Sequence, residues 1–163
     1  MCLSALARLL PLAGGPVVVG CAAGIDAAVR RAVPSASVVS ASAFGTGRGA
    51  LAARSVAVVR RVAAAGVSGG PPPVWVSLPG RACPVGLAPS PSASACFSGR
   101  GSGSWASLAL AVGLGVPAVV FLPPSVAAPA GWAFQPLGRF AGGSFWMVPA
   151  GGASPSLFGS AAV

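Results

Sequence analysis

Lysine, asparagine, glutamate, histidine and tyrosine are absent from this chain of 163 residues, and Asp26 is its one acidic side chain. Without histidine or glutamate, the usual partners in general acid–base chemistry are missing, so a non-catalytic protein is expected. The four cysteines, Cys2, Cys21, Cys83 and Cys96, stand at irregular spacings with no CxxC pair and no histidine beside them. That excludes a zinc site, and neither metal nor cofactor is expected. Cys83 and Cys96 can bridge a loop in an oxidising compartment, but free thiols in a cytoplasmic protein is the preferred reading. No apolar run reaches the roughly 18 residues of a membrane span without Gly, Pro or Arg, so no membrane partner is expected.

The missing residues share adenine at the second codon position, as Asp and Gln do, and Asp and Gln are reduced here to Asp26 and Gln135. The composition therefore carries the mark of a GC-rich gene. What such a gene retains is arginine: ten of them, for a net charge of +9. Codon bias accounts for the excess as well as function does. Either way, arginines with almost no internal acids to pair with favour anionic partners. Stability is expected to depend little on carboxylate titration, because only Asp26 and the C-terminus contribute.

Residues 3–10 (LSALARLL) predict a short amphipathic helix stopped by Pro11 and the pair Gly14, Gly15. Val18-Val19-Gly20 before Cys21 resembles a lipoprotein cleavage box, yet Pro11, Gly14, Gly15 and Pro16 break the apolar run. Residues 16–20 (PVVVG) read better as a buried strand. A helix over 26–33, a strand over 36–40 and a long helix over 48–65 follow. Next come a strand over 74–78, an apolar helix over 104–114, a strand over 117–122 and a short strand over 144–148. Residues 79–102 form a long Pro/Ser/Gly loop, and a loose Gly/Ser/Pro tail begins at 150. One domain over residues 1–149 is expected. Strand and helix alternate four times, which predicts an α/β layered fold around a parallel sheet.

Three stretches can carry chemistry. In GCAAGID the strand ends at Gly20, Gly24 permits a turn with positive φ, and Asp26 stands where a helix cap belongs. Asp26 is either that cap or a ligand-holding carboxylate. In SGRGSGSW, Gly101, Ser102, Gly103 and Ser104 precede an apolar helix, so freed N–H groups and a helix start make either an anion site or a flexible linker. In GRGALAARS, Arg48 and Arg54 open the long helix, and the planar fork of Arg54 suits phosphate oxygens, where a solvated face is the alternative. Trp105 is either a stacking platform for a base or a core residue.

These stretches, in this order, resemble the SLOG superfamily, the Rossmann-like domain shared by DNA-processing protein A (DprA) and the LOG phosphoribohydrolases. GCAAGIDAAVRRA is similar to its Gly-Gly-Ala-Arg-Gly-Ile-Asp-type turn. ALAARSVAVVRRV is similar to its Arg-Asn segment, with Arg54 at the arginine and Ser55 replacing asparagine. GSGSWASLALAVGLGVPAVVF resembles its Gly-Ser/Thr loop, helix and strand. The likeness spans residues 17–122; the superfamily's first strand has no counterpart before Leu3, and Ser107 stands where LOG enzymes carry their glutamate. The resemblance implies a Rossmann-like three-layer fold with a mostly parallel sheet of four to five strands, and self-association into a homo-oligomer. It implies a pocket for a nucleotide or nucleotide-derived ligand, lined by Gly20, Gly24, Asp26, Arg54, Gly101, Ser102, Gly103 and Ser104. Two alternatives are DprA-like binding of single-stranded DNA through arginines and Trp75, Trp105 or Trp132, and LOG-like hydrolysis of nucleoside monophosphates, which the lack of glutamate disfavours.

Overall fold

The computed structural model describes residues 2–10, 14–66, 72–99 and 101–150, with the side chains of Cys2, Ala7, Arg8 and Arg48 left aside. The expected tail therefore lies outside the described residues from 151 onward. Helix α1 (Cys2–Leu9) leads to β1 (Val18–Gly20), α2 (Ile25–Ala32) and β2 (Ser37–Val39). A short 3-10 helix (Ala41–Phe44) then enters the long helix α3 (Gly47–Ala65). The second half runs β3 (Trp75–Ser77), α4 (Ala93–Cys96), α5 (Gly103–Gly113), β4 (Ala118–Leu122), β5 (Gln135–Phe140) and β6 (Gly143–Val148).

The strands form two sheets. β1 and β2 pair in parallel, with Val19 opposite Val38. The other sheet has the order β3-β4-β6-β5, in which only β3 and β4 are parallel. β6 runs antiparallel to both β4 and β5. The expected Rossmann-like, mostly parallel sheet is thus corrected: the chain is mixed α/β with two sheets, one of two parallel strands and one in which two of the three pairings are antiparallel. The reason lies after β4. A parallel return needs a crossover of a dozen or more residues, usually a helix. Residues 123–134 hold Pro123, Pro124, Pro129 and Gly131 and no helix; they return β5 in the direction of β4 but one place out, and the following β5–β6 hairpin sets β6 antiparallel between the two. The hairpin's two-residue loop, Ala141 and Gly142, has φ of 48° and 80°. Positive φ at both positions is the type I′ geometry, which matches the right-handed twist of paired strands.

Two clusters of apolar side chains support these sheets. The larger is built on α5, whose residues from Trp105 to Val112 are all buried. A helix apolar on every side belongs in the interior, and α5 packs against Val59 of α3, against Ala118, Val120 and Leu122 of β4, and against Val148 of β6. The smaller cluster joins Leu6 of α1, Val19 of β1 and Val29 of α2, with Leu78 packed against it. The Pro/Ser/Gly segment is held firmly across α5. Trp105 Nε1 donates to the Arg81 carbonyl at 2.7 Å and Trp132 Nε1 to that of Leu87 at 3.3 Å. Ser90 N–H donates to the Ala109 carbonyl at 3.1 Å, and a Cβ on Gly113 would overlap the Ser90 backbone. Ordered loops of this length need such anchors, because their own sequence supplies no periodic core face.

Candidate functional site

The turn after β1 is the most fully built polar structure among the described residues. Gly24, at φ 75°, is the N-cap of α2. Asp26 is therefore not the cap but the second residue of the helix. Its carboxylate reaches back, with Oδ2 accepting from Ala22 N–H at 3.1 Å. The same oxygen accepts from Arg54 Nη1 at 2.8 Å, an ion pair across two helices. Arg54 lies in the second turn of α3 and is 9% exposed. Its guanidinium rests against Gly20, where a Cβ would overlap Arg54 Nη1 and Asp26 Oδ2. Glycine is required there for space rather than for backbone conformation.

Arg30, four residues beyond Asp26 on the same face of α2, completes the arrangement. Its Nη1 donates to the Gly20 carbonyl at 2.6 Å and its Nη2 to the Ala22 carbonyl at 3.2 Å. Sequence reasoning missed Arg30, and the signal was the i, i+4 spacing from the sole acid. Two carbonyls and the engaged carboxylate oxygen of the turn are thus occupied by arginines. Beside the second carboxylate oxygen of Asp26, what remains at the turn is donors. The first helical bond of α2 runs from Ala28 N–H to the Gly24 carbonyl at 3.0 Å, so the N–H groups of Ile25, Asp26 and Ala27 have no helical acceptor. Arg54 Nε is buried and has no partner. Arg54 Nη2 makes no hydrogen bond to any described residue. Cys21 lies in the same turn, and its Sγ accepts from Ala41 N–H at 3.1 Å.

The glycine loop before α5 forms a second, separate set of donors. Ser102 is the N-cap of α5 without a side-chain bond, and Gly99 and Gly101 take φ of 80° and 126°. Ala106 N–H makes the first helical bond, to the Ser102 carbonyl at 3.0 Å, which leaves the N–H groups of Gly103, Ser104 and Trp105 free of helical acceptors. Gly101 and Ser102, with Arg81, Ala82 and Pro84, line an open cleft of about 500 Å³. Ser77 Oγ donates to the Ser104 carbonyl at 3.4 Å. The next residue, Leu78, packs beside Val19 in the smaller core. The end of β3 therefore runs between the two turns. Gly20, Asp26 and Arg54 touch one another, while no hydrogen bond or ion pair among the described residues joins them to residues 101–104.

Trp105 is not a stacking platform. It is fully buried, with its ring 5.7 Å from Trp132 in an edge-on contact and 6.4 Å from Phe134. Its place in the first turn of a helix buried from Trp105 to Val112 turns the ring into the core. Trp132 is buried as well, and Trp75 is partly buried. The Arg48 side chain lies outside the description. Among the described residues no three His, Cys, Asp or Glu side chains cluster as metal ligands, and no helix is long and apolar enough to cross a membrane. Cys21, Cys83 and Cys96 are free thiols. Burial pushes the Cys83 and Cys96 thiols above their ordinary range.

No family model, curated protein or solved structure matches this chain.

Proposed function

We propose that the turn between β1 and α2, with Arg54 beside it, binds the phosphate of a nucleotide or nucleotide-derived ligand without converting it. One observation carries this reading. Arginines occupy the carbonyls of Gly20 and Ala22 and the engaged oxygen of Asp26, so the turn offers donors. Two guanidinium charges against one carboxylate leave it net positive, and the start of α2 adds its dipole. Donors, positive charge and a helix N-terminus are what an anion requires. Gly101, Ser102 and Arg81 line an open cleft of their own, which offers a second donor set. A binding role rather than a catalytic one follows from the chemistry on offer, because the sole acidic side chain is engaged by Arg54 and Ala22 N–H. Single-stranded DNA binding through Trp105 or Trp132 gains no support, since neither offers an open face for stacking, while Trp75 is partly exposed.

The test compares AMP with adenosine by calorimetry and by amide spectra of the labelled protein. AMP is expected to bind, to move the amide resonances of residues 23–27 and to raise the melting temperature. Adenosine is expected to do neither. Equal binding of both, or no binding of either at millimolar concentration, overturns the reading, and release of free adenine would show catalysis instead.

A further inference from the structure

We infer that the outer edge of β2 receives an extended strand from a partner, one whose side chains alternate acidic and apolar. Ser37 N–H donates to the Val17 carbonyl at 2.8 Å, and Val38 lies opposite Val19. In a parallel ladder alternate residues bond to the neighbouring strand, and the residue between them turns its N–H and C=O the other way. Val38 therefore presents both groups away from β1. β1 and β2 form a sheet of two strands, and no described strand pairs with that side of β2. Val38 is also 49% exposed.

The contrast is with β5, an edge of the larger sheet. That strand carries Pro136, Arg139 and a register slip between Pro136 and Gly138. Proline, charge and a bulge are the devices that keep an edge from pairing. β2, with the sequence Ser37-Val38-Val39, has none of them. An unguarded edge with an exposed valine suits strand addition, in which main-chain bonds supply affinity and alternate side chains supply selection.

The two faces of β2 set the sequence of the guest. Neighbouring residues of a strand point to opposite faces, so a guest residue beside Val38 meets the valine, and the residues flanking it lie on the face of Ser37. There Arg61 of α3, an exposed residue, donates from Nη2 to Ser37 Oγ at 3.3 Å. The chain has no acidic side chain to offer Arg61, since Asp26 is the sole one and is engaged by Arg54. An apolar residue flanked by carboxylates fits both faces. A second copy of the chain fits poorly, because it brings a net charge of +9 and the same lack of acids.

The experiment titrates the labelled wild-type chain with the capped peptide Ser-Thr-Glu-Val-Glu-Thr-Ser and follows amide exchange. Binding is expected to slow exchange of the Val38 N–H, and the peptide with lysine for both glutamates is expected to bind at least about fivefold more weakly. Only every second peptide amide faces β2, so N-methylation of one alternating set is expected to abolish binding and methylation of the other to spare it. Val38→Pro removes the outward donor without touching the ladder to β1, and is expected to weaken the peptide by about tenfold or more. Should that variant misfold, the methylated peptides decide on the wild-type chain. Arg61→Ala is expected to weaken binding by about threefold or more, while Arg139→Ala, the same loss of charge on β5, leaves it unchanged. An unprotected Val38 N–H with peptide bound, or equal tolerance of both methylation sets, overturns the edge assignment. Equal affinity for the lysine peptide overturns the acidic partner. Protection of Val38 that grows with protein concentration alone gives the edge to a second copy and overturns it too. Absence of binding at millimolar peptide removes the proposal and leaves the AMP reading, followed at residues 23–27, standing.

Discussion

Gly20 and Arg54 are a pair in which the smaller residue exists for the larger. The guanidinium fills the volume a Cβ on Gly20 would take, so Gly20→Ala must push Arg54 off Asp26. A misplaced, partly buried charge and a carboxylate left with one donor cost about 2–4 kcal/mol. Removing the guanidinium first empties most of that volume and leaves only the carboxylate end of Asp26 to give way. Gly20→Ala in an Arg54→Ala background is therefore expected to cost less than about 1 kcal/mol, giving a coupling of about 1–3 kcal/mol in a double-mutant cycle by urea unfolding. Additive effects would show that the side chain and the glycine do not compete for one space. Gly24 is the contrast: a Cβ there meets nothing, and alanine suffers only from the backbone at φ 75° and ψ −121°, a penalty of about 1–3 kcal/mol that no change at Arg54 relieves.

At the scale of elements, the hairpin between β5 and β6 decides the topology, and its weak point is Ala141, with φ 48° before Gly142. Asparagine tolerates this conformation better than alanine, and Asn-Gly is the favoured type I′ pair. Ala141→Asn is expected to stabilise by about 0.5–1 kcal/mol and Ala141→Val to destabilise by at least that much, read from thermal unfolding. A stabilising valine would mean that the turn has another geometry. In this hairpin β6 was expected over 144–148 and is found at Gly143–Val148, whereas β5 was not expected. β1 to β4 and the longer helices were legible, because buried β-branched runs and apolar helical faces leave periodic signals. β5 leaves none: its residues from Gln135 to Arg139 are exposed, Pro136 and Gly138 interrupt it, and the register slips between them. The 3-10 helix and α4 are too short for any period. The same limit applies to the site. Gly20, Asp26 and Arg54 stood out as residue types, but their contact joins positions 28 apart through tertiary packing. Trp105 reads in the sequence as either platform or core, and the burial of α5 from Trp105 to Val112 decides for the core.

The whole molecule has an unusual relation to pH, because it has almost nothing that titrates near neutrality. Ten arginines keep their charge throughout, and histidine, glutamate, lysine and tyrosine are absent. Between about pH 5 and 8 only the terminal amine changes its charge appreciably, so folding stability is expected to be flat there. Above that range the cysteines take over. In the unfolded chain a thiol ionises near pH 8.5 or so. In the folded chain Cys83 and Cys96 hold their protons to higher pH, because burial disfavours the thiolate. The folded state then binds more protons than the unfolded one. The contribution is complete below the unfolded value and declines as pH rises through the raised folded values. Melting temperature should therefore form a plateau that ends in an alkaline slope beginning near about pH 8.5. Cys83→Ala with Cys96→Ala should extend the plateau upward, even where the double variant melts lower at neutral pH because Cys96 is part of the core. An alkaline slope of undiminished steepness in that variant would mean that these two thiols are not its source.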